Sequence, residues 1–168
     1  ELNSCRLINY SHLFNCAGLQ ADRVAHQFGI GHQYKLLPFK GSYWQLKQSC
    51  PIQPQTNLYP VPDLSVPFLG VHFTPSADST PQVSIGPTAT PAWGRENYYG
   101  LQALEPGMAI ANLSLLTRQY LSNRGGFRRY VHEQAFLSLP PLLLKAAQQL
   151  IPSLQANHLE PSQKVGIR

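Results

Sequence analysis

The chain has 168 residues, enough for one ordinary domain or for one and a piece, and its 43% hydrophobic content supplies a core of useful size. Charged residues are only 12%, about half the usual roughly 25%, and the 15 prolines are many, which excludes a coiled coil, a collagen-like repeat and a highly charged disordered tail. The net charge of +5 suits an anionic partner, and no uninterrupted run of about 18 apolar residues is present to form a membrane-spanning helix.

Residues 1–33 read as a short apolar strand followed by a helix. The stretch His12-Leu13-Phe14-Asn15-Cys16-Ala17-Gly18 is compact and apolar and closes on small residues. Asp22 to Phe28 continues at helical spacing and stops at Gly29, a C-terminal cap. A strand that ends on Cys-Ala-Gly and enters a helix suits close approach of the backbone to a ligand, or an ordinary tight turn.

Residues 34–111 read as sheet. Leu36 to Leu46 alternates, with Phe39, Gly41 and Tyr43 on one face and Lys40, Ser42 and Trp44 on the other. Nine of the 15 prolines lie between Pro51 and Pro91. They punctuate short strands at Leu58–Val61, Phe68–Thr74 and Gln82–Ile85, a meandering antiparallel arrangement. Residues 112–160 read as helical: Ala111 to Leu121, then Phe127 to Leu139 after Gly125-Gly126, then Pro140 to Ile151. Residues 161–168 begin a last strand. The fold class is α+β, a mostly antiparallel sheet with a C-terminal helical segment.

Cofactor fingerprints are absent. Gly29-Ile30-Gly31 begins like a dinucleotide motif but follows a helix and has Tyr34 where the third glycine belongs. Cys5, Cys16 and Cys50 cannot all pair and show no C-x-x-C spacing, so they read as reduced thiols of an intracellular protein, and no metal site is expected. Asn112-Leu113-Ser114 fits the glycosylation pattern at chance level. Arg118, Arg124, Arg128 and Arg129 cluster without an acid between Pro106 and His132 and read as a solvated helical face.

Among six histidines, His72 stands apart because it sits inside the apolar run Phe68 to Thr74, flanked on its own strand face by Gly70 and Thr74. That leaves room for a general base to meet a substrate, or for a core histidine bonded to a backbone carbonyl. Asp63 and Asp78 lie in proline-flanked turns and read as turn caps. Lys40 in mid-strand and Arg168 after Gly166-Ile167 are the cations best placed for acidic substrates, with snorkelling to solvent as the plain reading of Lys40.

Several segments, in order, resemble the L-2-hydroxyglutarate oxidases and dehydrogenases of the D-amino-acid-oxidase-like class. They are Asn15-Cys16-Ala17-Gly18-Leu19-Gln20-Ala21-Asp22, Leu37-Pro38-Phe39-Lys40-Gly41-Ser42-Tyr43, Leu58-Tyr59-Pro60-Val61-Pro62-Asp63, Pro67 to Thr74, Ile85-Gly86-Pro87-Thr88-Ala89 and Val165-Gly166-Ile167-Arg168. The resemblance implies the substrate domain of an FAD enzyme that oxidises L-2-hydroxyglutarate to 2-oxoglutarate. It makes residues 1–33 the end of a flavin-domain segment and residues 161–168 the start of a strand returning to it. His72 is then the base, Arg168, Lys40, Tyr59 and Thr88 contact substrate, and Ala17, Gly18 and Gly41 approach FAD. Lys40 stands where the family has arginine and Thr88 where it has asparagine, which bears on substrate choice.

Residue 1 is Glu, no signal segment precedes it, and the chain stops at Arg168, so it reads as a piece of a longer protein. Its partners are expected to be a small dicarboxylate and the rest of its own flavin domain, with no nucleic acid and no integral membrane segment. The expected location is cytoplasmic, peripheral at the inner membrane face. The alone-standing piece is expected to hold no FAD and to be inactive. Alternatives are an FAD oxidase for another 2-hydroxy or 2-amino acid, and a non-catalytic basic binding module built on Arg118 to Arg129.

Overall fold

The computed structural model describes residues 7–62, 70–77 and 82–168. The chain divides into two compact units, Glu1–Leu36 and Leu37–Arg168. The described part of the first unit holds a 3-10 turn at Gly18–Gln20 and helix α1 (Ala21–Gln27). Helix α1 ends as its glycine requires. Gly29 takes φ +72°, its N–H donates to the His26 carbonyl, and Ile30 N–H donates to Ala25, which closes the helix with two backbone bonds. The strand expected at residues 12–18 does not form. A strand needs a ladder partner for its backbone, and among the described residues this unit contains no other strand.

The second unit is an α+β fold. Its elements are β1 (Phe39–Leu46), β2 (His72–Pro75), β3 (Val83–Gly86), β4 (Thr90–Pro91), α2 (Pro106–Ser122), α3 (Phe127–Leu137), α4 (Pro140–Ala147) and β5 (Leu159–Ile167). All sheet pairings are antiparallel. Strand β1 is central. Along one edge it pairs with β5, from Lys40↔Ile167 to Leu46↔Leu159. Along the other it pairs first with β4 (Lys40↔Thr90) and then with β3 (Trp44↔Ile85), and β2 lies outside β3.

The expected strand at Leu58–Val61 shrinks to one bridge, Leu58 with Phe73. Pro60 and Pro62 have no N–H, so that ladder cannot continue. The third helix is shorter than expected and β5 begins earlier, at Leu159. Phe68, Leu69, Asp63 and Asp78 lie outside the described residues.

Alternation along β1 separates two faces. Trp44 and Leu46 share theirs with Ile85, Phe73 and Leu159, and this face packs on Leu143 and Ala147 of α4 and on Ile151 and Leu154 beyond it. The prolines Pro140 and Pro141 occupy the first turn of α4, where no N–H partner is needed. Helix α2 is tied to the sheet by Asn112, which is 2% exposed and donates from Nδ2 to the Ala92 carbonyl at 3.2 Å. That burial removes Asn112 as a glycosylation acceptor. Arg128 of α3 donates from Nε and Nη2 to the carbonyls of Tyr120 and Leu121, satisfying the end of α2.

Two irregularities shape β1's edges. Between β3 and β4, Pro87 lies over Gly41, so that a Cβ on Gly41 would stand 2.7 Å from the Pro87 Cβ. Thr88 continues the ladder there: its N–H donates to Ser42 O at 3.0 Å, and its hydroxyl accepts from Ser42 N–H at 3.3 Å. On the β5 side, Ser42 pairs with Val165 but Trp44 with Pro161, so β5 bulges by two extra residues.

Leu143→Ala should destabilise the chain by about 2–5 kcal/mol, because Leu143 is fully buried and the site cannot collapse completely; urea unfolding followed by tryptophan fluorescence reads this. The two glycines paired across β1 and β5 should differ. Gly41→Ala should cost about 1–3 kcal/mol through overpacking against Pro87, whereas Gly166→Ala, with nothing within 4 Å of the new methyl group, should lie within about 0.5 kcal/mol of wild type. Equal effects in the same unfolding assay would show that Pro87 is not the reason for the glycine.

Candidate active site

The sheet face opposite α4 carries most of the residues singled out by chemistry. His72 opens β2 and pairs with Gly86 of β3. Gly86 in turn lies beside Tyr43: a Cβ there would meet the Tyr43 ring at 3.2 Å. Tyr59 follows the Leu58 bridge and therefore falls on the same face, outside β2. Its ring centroid is 4.6 Å from that of His72, tilted by 34°. The row thus runs Tyr59, His72, Gly86, Tyr43 across four adjacent segments.

His72 is half-buried, and its Nδ1 lies 2.9 Å from the Gly70 carbonyl oxygen. A carbonyl only accepts, so in the neutral ring Nδ1 carries the proton and Nε2 keeps its lone pair. Both readings of His72 therefore meet in one geometry. The backbone bond orients the ring, and the orientation leaves the other nitrogen as a proton acceptor. Tyr59, 47% exposed, flanks the imidazole with a phenol able to donate or accept.

The other expected contacts are distributed differently. Lys40 pairs with Thr90 and Ile167 and leaves the sheet on the face shared with Trp44, opposite to His72; the structure does not bring the two together. Arg168, just past the end of β5, lies opposite Phe39 of β1, with backbone bonds of 2.8 and 3.0 Å in both directions. It is on the His72 side by alternation, but four residues, roughly 13 Å, along β1 from the Tyr43 row. Its charge acts on Tyr130 of α3, where burial pushes the phenol well above its ordinary value and the arginine opposes that rise. Thr88 is 4% exposed, with its hydroxyl engaged by Ser42.

Of the residues expected at a cofactor, Gly18 has the open backbone such an approach needs. It takes φ +52° with nothing within 4 Å of a notional Cβ, and Ala17 beside it is exposed. Those residues fit close passage of a planar group. Gly41 does not, because its missing side chain makes room for Pro87. Among the described residues no group of three or more His, Cys, Asp or Glu could hold a metal, and no helix is long and apolar enough to cross a membrane.

Sequence reasoning missed one cation. Lys164, next to the Ser42↔Val165 pair, falls opposite Tyr43 on the His72 face, with Nζ 4.9 Å from the Tyr43 ring centroid. The signal was present, since Lys164, Gly166 and Arg168 alternate onto one face. Its neighbour on β1 is decided by the register. A separate cavity of 330 Å³ lies between the sheet and helices α2 and α3, lined by Phe39, Pro91, Leu116, Tyr120, Phe127 and Tyr130 among others. The arginine cluster is partly committed: Arg128 bonds the end of α2, and Arg129 pairs with Glu133 at 2.7 Å.

Comparison with known proteins bears on the whole chain. It is 35% identical over 161 residues to a mitochondrial L-2-hydroxyglutarate dehydrogenase of Nematostella vectensis, covering 92% of this chain and 33% of that protein. It is 42% identical over 109 residues to a protein of the same name from Caenorhabditis elegans, covering 65% of this chain and 24% of that one. An L-2-hydroxyglutarate dehydrogenase of Salmonella houtenae is 31% identical over 161 residues, covering 93% of this chain and 36% of that protein. The chain therefore spans about a third of these relatives or less. The match to the FAD dependent oxidoreductase family runs over residues 4–168, nearly the full chain, and the chain belongs to that family.

Proposed function

We propose that the protein of which this chain is a part oxidises L-2-hydroxyglutarate to 2-oxoglutarate, and that the chain supplies its substrate-binding sheet. The observation that carries this reading is the His72–Tyr59 pair, with a histidine ring nitrogen oriented for proton acceptance beside a phenol. Relatives named as L-2-hydroxyglutarate dehydrogenases support the substrate.

FAD, when held by the parent protein, would supply the acceptor for the hydride of C2. His72 Nε2 takes the hydroxyl proton as the C2–O bond becomes a carbonyl, so one hydride and one proton leave the alcohol. Tyr59 donates a hydrogen bond to the same oxygen. The Ala17–Gly18 turn would be one of the places that hold FAD. Thr88 holds Ser42 through its hydroxyl, and Lys40 leaves the sheet on the face opposite His72. The exposed apolar residues of α2, Ile110, Leu113 and Leu121, fit a surface that packs on the parent's own flavin domain. The chain alone is inactive in this reading.

In the full-length enzyme, His72→Ala should slow anaerobic flavin bleaching by L-2-hydroxyglutarate by about 10²–10⁴-fold, and bleaching at the wild-type rate removes His72 as the base. A panel of 2-hydroxy and 2-amino acids should bleach the wild-type flavin fastest with the five-carbon hydroxy diacid; faster bleaching by an amino acid transfers the function to that substrate. The purified 168-residue chain should show no flavin absorbance.

A further inference from the structure

Lys164 has no part in the function argued above, yet it stands in the row that contains His72. Its position is built rather than incidental. The two extra residues of β5 between the Ser42↔Val165 and Trp44↔Pro161 pairs lift the strand away from β1 at this point. The bulge is then held on both sides of its apex. Tyr99 Oη donates to the Gln163 carbonyl at 3.0 Å, and Lys164 N–H donates to Ser162 Oγ at 3.2 Å. The ammonium lies over the Tyr43 ring, a contact that fixes a cation through the ring's quadrupole without using a hydrogen-bond acceptor. Its N–H donors are thus available to an anion. The nearest carboxylate on the same strand face, Glu160, accepts a bond from Gln45 Nε2 at 2.7 Å.

Spacing decides what that anion is. His72 and Tyr43 flank Gly86 in successive strands, so they stand about two strand spacings, roughly 10 Å, apart. The Lys164 ammonium reaches back from β5 over the Tyr43 ring, so a ligand that meets both it and His72 must carry its anion several bonds from its hydroxyl. Lys40 leaves the sheet on the other face, so it cannot serve as the second anchor.

We infer that Lys164 binds the remote carboxylate of the substrate and selects 2-hydroxy diacids over 2-hydroxy monoacids. The inference rests on the oxidoreductase reading above and names its specificity determinant. The full-length, FAD-loaded enzyme tests it with L-2-hydroxyglutarate and L-2-hydroxyvalerate, which share five carbons and differ in the terminal carboxylate. Lys164→Met, which keeps the apolar stem, should lower the diacid-to-monoacid ratio of kcat/KM by about 10- to 100-fold, expressed mainly in KM. Glutarate binding measured by calorimetry should weaken by a similar factor, and Lys164→Arg should recover most of both. A Lys164→Met enzyme that keeps the wild-type ratio and glutarate affinity overturns the assignment while leaving the proposed function standing. A wild-type enzyme with no preference for the diacid overturns both.

Discussion

Strand β1 is paired along both edges, and the rest of the second unit is arranged by that constraint. On one side it carries β5 over nearly its full length; on the other, β4 and β3 share it in turn. A strand with both edges occupied cannot slip by one residue without exchanging its faces. The buried contacts of Trp44 and Leu46 with the core hold the register, and the register places every side chain on the opposite face. Glycine at position 41 belongs to the same constraint, because the turn from β3 to β4 brings Pro87 against that backbone.

The consequence is a division of labour between the faces. The face toward α4 is closed at its centre by Phe73, Ile85, Leu143 and Leu154, all at or below 1% exposure. The other face holds His72, Tyr59, Tyr43 and Lys164, half-buried or exposed. Stability and chemistry are thus assigned to alternate residues of the same strands. Gly86 is where the two meet: its backbone continues the ladder to His72 while its missing side chain admits the Tyr43 ring.

Departures from regular pairing add the chemistry. The β5 bulge begins at Lys164, which lies over Tyr43, and the Gly70 carbonyl fixes which nitrogen of His72 carries the proton in the neutral ring. Thr88 makes the complementary point. Its hydroxyl replaces a ladder acceptor for Ser42, so the same side chain helps to hold the sheet.

Local chemistry was readable in the chain. Alternation at Phe39–Leu46, the positive-φ glycine that ends α1 and the proline pair that starts α4 are short-range effects of side-chain direction, backbone freedom and missing N–H groups, and each appears where the residues indicate. The strand expected at residues 12–18 failed because a strand, unlike a helix, depends on a partner outside itself. The ordered segments from Cys16-Ala17-Gly18 to Gly166-Ile167-Arg168 also carried the family, since they follow one another as its members' segments do. What the tertiary structure alone decided is which of these residues meet. Tyr59 beside His72, Tyr43 beneath Lys164 and Lys40 on the far face all follow from the pairing of strands distant in sequence. That pairing is set by shared burial and by bulges, and neither can be read from the residues of one strand.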